Sequence, residues 1–219
     1  MAVITFSRQF GSGGDEIAAR VGEMLGYHYF DKQSLLAAAA QEKLTPDQVV
    51  DYHEDSYRLR GILDRLRGYR PPPGKGPASL RDANEQIGEN MLVWLADAAV
   101  RTAYDQGNFV IVGRAGQAIL LDKPGVLHVR VEAPCDLRIA NIARQEGISA
   151  AAARLRVSEH DRAAADYLRR FYGVNWADPL LYHLIVNTGR LSIEAAIDLV
   201  VRAASRVGET APEPAEVPA

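Results

Sequence analysis

One cysteine, Cys135, in 219 residues excludes an internal disulfide and any cysteine-cluster metal site. No apolar run approaches the ~20 residues that a membrane-spanning helix needs. Met1 leads straight into an apolar stretch rather than into a signal peptide, so a cytoplasmic protein is expected. Charge of one sign is also missing. Lys and Arg number 25 against 28 Asp and Glu, a net charge of −3, too balanced for a broad nucleic-acid surface. No internal repeat is visible. What remains, 47% hydrophobic and 24% charged residues, is the composition of a globular enzyme or binding protein acting on small molecules.

A more local absence lies near the N-terminus. In A-V-I-T-F-S-R-Q-F-G-S-G-G-D-E-I-A-A-R, Val3, Ile4 and Phe6 read as a short buried strand. Gly11, Ser12, Gly13 and Gly14 form a turn, and Ile17, Ala18, Val21, Met24 and Leu25 recur at helical spacing. Strand, glycine-rich turn and helix make a phosphate-binding layout: backbone N–H groups face inward and the helix N-terminus adds its dipole. The usual signature is G-x-x-x-x-G-K-[ST]. Here the first glycine slot holds Arg8, the lysine slot Gly14 and the Ser/Thr slot Asp15. The cradle is present without its ammonium group. A tight strand-to-helix turn with no ligand is the other reading.

The rest of the chain alternates short apolar runs with amphipathic segments. Y-H-Y-F-D (27–31) reads as a strand ending in Asp31, a position that either meets a ligand at the sheet edge or caps the next helix. Residues 45–67 read as a charged helix, and G-Y-R-P-P-P-G-K-G-P as a mobile loop. Residues 81–106 read as a long helix with Ile87, Met91, Trp94, Leu95 and Ala98 on its core stripe. N-F-V-I-V (108–112) is a continuous apolar strand ending at Gly113-Arg114-Ala115-Gly116. Packing gives no reason for a charge there, whereas the planar fork of Arg114 suits a phosphate. Strands follow at 126–131 and 182–187. Between them lie a helix with Leu137, Ile139, Ile142 and Ala143 inside and an arginine-rich helix over 149–172. Ser192 caps a last helix, and 208–219 reads as a disordered Pro/Glu/Ala-rich tail. This order predicts an α/β protein: a five-stranded parallel sheet in a three-layer α/β/α arrangement, over residues 1–207. Residues 32–106 form a helical insertion over the active edge.

Four segments taken in order carry a resemblance: I-T-F-S-R-Q-F-G-S-G-G; Y-F-D-K; F-V-I-V-G-R-A; and the pair S-E-H-D-R-A-A-A-D-Y-L-R-R and Y-H-L-I-V-N-T-G-R-L-S. Together they resemble the cytidylate kinase-like family, a branch of the P-loop nucleoside monophosphate kinases. The resemblance implies a core that binds ATP, an acceptor-binding insertion at about 32–106 and a lid at about 147–176. It also implies transfer of the ATP γ-phosphoryl group to CMP or dCMP. The chain departs from the pattern at the loop lysine, at Asp15, where relatives often carry arginine, and at Ala115, where a G-R-D motif has aspartate.

Phosphoryl transfer asks for positioning and positive charge. The loop from Gly11 through Ser12, Gly13, Gly14 and Asp15 to Glu16 would hold ATP. Ser12 or Asp15 would meet Mg2+, directly or through water. Arg114 and Asp31 would bind the acceptor. Arg8 and the lid residues Arg162, Arg169 and Arg170 would supply the cations. Arg8 alternatively pairs with Glu16, and the lid arginines alternatively form a salt-bridged surface with Glu159, Asp161 and Asp166. A degenerate kinase that binds nucleotide without efficient transfer, or a kinase for another small phosphate acceptor, are the competing functions.

Overall fold

The computed structural model describes residues 2–30, 93–94 and 96–207. Asp31, the insertion up to residue 92, the 68–80 loop and the 208–219 tail lie outside the described residues. So do Ile87, Met91 and Leu95 of the expected core stripe.

Among the described residues five strands are seen: β1 (Val3–Arg8), β2 (His28–Phe30), β3 (Phe109–Val112), β4 (Val126–Glu132) and β5 (Leu184–Asn187). They lie in the order β2-β3-β1-β4-β5, every pair parallel. The expected sheet is therefore the observed one. The run of β3, F-V-I-V, is continuously apolar, as suits a strand covered on both faces.

Helix α1 (Gly14–Leu25) follows β1, and residues 96–106 form the described part of α2. Then come α3 (Gly116–Ile119), α4 (Cys135–Glu146), α5 (Ala150–Tyr172) and α6 (Ile193–Ala204). The caps follow the sequence. Ser149 Oγ accepts from Ala152 N and Ser192 Oγ from Ala195 N, both at 3.2 Å. Gly26 ends α1 in the left-handed conformation, φ 65°.

One face of the sheet packs on α1 and α6 through Ile4, Phe6, Ile17, Val21, Val129, Ile197 and Val200. The other packs on α2 and α5 through Val100, Ile111, Val126, Tyr167, Leu168 and Trp176. Two details differ from expectation. Trp94 is 63% exposed, and the buried stripe of α2 runs through Ala96, Val100 and Ala103 instead. In α4, Leu137 is 39% exposed while Arg138 is buried. A guanidinium can be buried when its donors are met, and those of Arg138 are met by the glycine loop and α5, as described below.

Candidate functional site

The loop between β1 and α1 is shaped by two left-handed glycines, Gly11 (φ 80°) and Gly13 (φ 81°). A side chain at either would be strained by its φ alone. Ser12 N donates to Gln9 O at 3.1 Å, so that amide is spent on the turn rather than on a ligand. The first bond of α1 runs from Ile17 N to Gly13 O. The amides of Gly14, Asp15 and Glu16 thus belong to a first helical turn, where no preceding carbonyl is available to them. Ser12 itself is buried, and its Oγ makes no hydrogen bond among the described residues. A buried hydroxyl in the glycine loop with no partner among the described residues suits an anion or a hydrated cation.

The loop is clamped from outside. Asp161 Oδ1 accepts from Phe10 N at 3.0 Å. Arg138 donates to Phe10 O at 3.2 Å and to Asp161 Oδ2 at 2.6 Å. Asn141 Nδ2 donates to Gly11 O at 3.0 Å, and Thr188 Oγ1 to Ser12 O at 2.7 Å. The His160 ring stacks on Phe10, centroids 3.9 Å apart and planes 5° from parallel. Three elements, α4, α5 and the turn after β5, therefore fix the loop backbone. Sequence reasoning did not find Arg138, Asn141 or Thr188. The one available signal was a charged residue flanked by Leu137 and Ile139 in an otherwise apolar stripe.

Arg8 closes the loop from the strand side. Its Nε donates to Asp15 Oδ1 at 2.9 Å, so Asp15 is one of its partners. Asp15, a candidate metal ligand, is thereby engaged by a guanidinium. Glu16 is exposed, 4.0 Å from Arg20.

Arg114 follows β3 and is buried, 8% exposed. Gly113, Arg114 and Ala115 have φ of 68°, 55° and 55°, three consecutive left-handed residues. Non-glycine residues held there cost roughly 1–3 kcal/mol each, and such strain concentrates at ligand sites. The turn is kept by α3 pressed onto β1: a Cβ on Gly116 would lie 3.1 Å from Thr5 Cγ2.

The arginines expected in a lid have contacts within α5. Arg162 and Arg169, 83% and 76% exposed, face Asp166 at 3.9 and 2.7 Å. Arg170 lies over the Phe171 ring, 5.1 Å from its centroid. Of the acidic residues expected on that surface, Asp161 is turned inward to Arg138.

Beyond α5 the chain returns to the sheet at Trp176. Trp176 Nε1 donates to Ser7 Oγ at 2.7 Å, beside the start of the loop. The Trp176 carbonyl accepts from Arg130 at 2.6 Å and from the Tyr182 hydroxyl at 2.8 Å. The Arg130 guanidinium, also bonded to Glu132, lies 4.4 Å from the Trp176 ring centroid. Deeper on this face Thr5 Oγ1 and His128 Nδ1 are 2.7 Å apart. Burial, with His183 adjacent, pushes His128 down to about 4.

Comparison with known proteins agrees with this layout. A cytidylate kinase of Aeropyrum pernix is 26% identical over 199 residues, 90% of this chain and 96% of the relative. A solved protein of Eubacterium ventriosum, described as uncharacterized, superposes with a TM-score of 0.68 at 17% identity, covering 94% of this chain and 99% of that one. A shikimate kinase of Bacteroides thetaiotaomicron superposes at 0.50 and 11% identity, covering 93% and 98%. The last two are likenesses of fold. The sequence profile of the cytidylate kinase-like family matches residues 3–190, nearly the whole described core, and the chain belongs to that family.

Proposed function

We propose that this chain is a nucleoside monophosphate kinase that transfers the γ-phosphoryl group of ATP to CMP or dCMP. Family membership supports a phosphotransferase. The observation that carries the nucleotide reading is the clamped glycine loop whose Ser12 hydroxyl is buried with no partner among the described residues. In this reading the Gly13, Gly14, Asp15 and Glu16 amides bind the donor phosphates, with Gly11 shaping the turn. Ser12 meets a phosphate oxygen or the hydration shell of Mg2+.

Among the described residues no group of three or more His, Cys, Asp or Glu could hold a metal on its own. Ser12 and, once released from Arg8, Asp15 therefore fit a magnesium ion that arrives with the nucleotide. Its chemistry would be to neutralise charge between the donor phosphates. Arg114 takes the acceptor phosphate, together with Asp31. Residues 32–106 receive the acceptor, and residues 147–176 act as the lid. Arg162 and Arg169, leaving Asp166, and Arg170 reach the transferring group when that lid closes. Closure would also exclude water, which otherwise competes as acceptor.

The salt bridge between Arg8 and Asp15 favours a second reading, a chain that binds nucleotide with little transfer, since the guanidinium beside the loop is neutralised by its neighbour. A coupled assay over nucleoside monophosphates and non-nucleotide acceptors, beside ATP titration calorimetry, separates the readings. Turnover highest on CMP or dCMP is expected. ATP binding with no transfer to any acceptor would establish the second reading. Transfer to a non-nucleotide acceptor alone would keep the kinase and replace its substrate.

A further inference from the structure

The loop's missing lysine has a steric cause. Gly14 is the first residue of α1 and is not among the left-handed glycines. Unlike Gly11 and Gly13, it has no backbone reason to be glycine. What forbids a side chain there is Arg8. A Cβ on residue 14 would lie 2.5 Å from Arg8 Cβ and 3.0 Å from Arg8 Cγ. Those atoms are the root of the arginine, anchored in β1 with Arg8 in register with Val131 of β4. They cannot swing away as a chain tip can. While residue 8 carries a Cβ, residue 14 must have none.

The signature G-x-x-x-x-G-K-[ST] has the opposite arrangement: glycine in the slot of Arg8 and lysine in the slot of Gly14. The two slots are in contact here, so the exchange is reciprocal. The cation has been moved across one van der Waals contact, from the end of the loop to its beginning. The guanidinium stays at the loop mouth, because Arg8 Nε donates at 2.9 Å to Asp15, in the first turn of α1.

We propose that Arg8 replaces the signature lysine: its guanidinium turns from Asp15 to the donor phosphates, and Gly14 is glycine to make room for it. This deepens the kinase reading above and rests on it. A planar fork binds two phosphate oxygens at once, where an ammonium acts as a point charge. Asp15 then has a role of its own. It holds the fork over the empty loop and is freed toward the hydrated cation when phosphate takes its place.

The test is calorimetric binding of MgATP and of inorganic triphosphate, with turnover measured in parallel and melting followed by circular dichroism. Arg8→Ala is expected to bind triphosphate about 10- to 100-fold more weakly and to lose about 10³-fold in turnover. Arg8→Lys keeps a cation on the same stem and should stay within about tenfold of wild type in triphosphate binding, since the charge is retained. Gly14→Lys alone should bind poorly, because its Cβ collides with Arg8. Arg8→Gly/Gly14→Lys restores the glycine and the lysine of the ordinary signature, with Asp15 still in the Ser/Thr slot, and should bind triphosphate at least about tenfold better than Arg8→Gly alone, with Val131 Cβ at 3.2 Å as its remaining close neighbour. Wild-type affinity in Arg8→Ala overturns the proposal, and so does a folded double variant no better than Arg8→Gly. If the wild type binds neither ATP nor inorganic triphosphate, the kinase reading itself falls and takes this proposal with it.

Discussion

Ile4, Phe6, Leu127, Val129 and Val131 point one way from β1 and β4, into an all-apolar layer against α1 and α6. Thr5, Ser7, His128 and Arg130 point the other way, toward α5 and the segment that follows it, and all four are buried as deeply. On the first face, burial is non-directional and almost any close-packed arrangement would satisfy it. On the second, each polar group costs free energy unless it finds its own partner. Thr5 and His128 meet each other, and several of the remaining partners come from one short stretch: Trp176 meets Ser7 and Arg130, Tyr182 meets Arg130, and His183 lies against His128. The apolar face thus makes the domain stable. The polar face fixes where the chain returns after α5, beside the root of the glycine loop.

The contrast can be broken from either side. Phe6→Ala, deep in the apolar layer, should cost about 3–5 kcal/mol in urea unfolding. Triphosphate affinity of the molecules that remain folded should be unchanged. On the polar face, acid should have a selective effect. His128 has its proton affinity lowered from 6.5 to about 4 by burial and by His183. Between these values the unfolded chain takes up a proton that the folded chain refuses, so stability falls as pH drops below about 6.5 and is unaffected above it. At 1.36 kcal/mol per unit the loss reaches about 3 kcal/mol near pH 4. Denaturant midpoints measured against pH should show this slope, and His128→Asn should flatten it.

At the end of β3, Arg114→Ala should weaken acceptor binding by about 1.5–3 kcal/mol, tenfold or more in KM or kcat. Unchanged kinetics would remove Arg114 from the site. Trp176→Phe keeps the ring but deletes the donor to Ser7, and should cost about 1–2 kcal/mol in thermal unfolding. With Trp94 exposed, Trp176 is the buried fluorophore of the two, so the variant should also lose the blue-shifted emission. Least of all, Asp166→Asn should change stability by no more than about 0.5 kcal/mol, since its two arginine partners are exposed to water.

Much of the fold was legible in advance because its cause is local. F-V-I-V announces a strand covered on both faces, V-L-H-V-R-V a further strand, Ser192 a helix start, and glycines in fixed order announce the loop. The polar face was not legible, because alternation along a strand says which residues share a side and not what will meet them. Arg130 reads from sequence as a charge to be placed in water, and it is buried only because Trp176 and Tyr182 arrive from more than forty residues away. Arg138 and Leu137 exchange their expected exposures for the same reason, since the loop carbonyl of Phe10 and the carboxylate of Asp161 converge on the arginine.

For the phosphate loop, the sequence determined that glycines stand at residues 11, 13 and 14, that residue 8 is an arginine and that no lysine follows. These are facts of composition and order, enough to specify a turn that backbone amides can line. Only the tertiary structure decided that Arg8 and Gly14 touch. The register of β1 on β4 and the angle at which α1 leaves the loop bring the root of one onto the missing side chain of the other. A steric exclusion of that kind depends on distances between residues that the linear pattern leaves free.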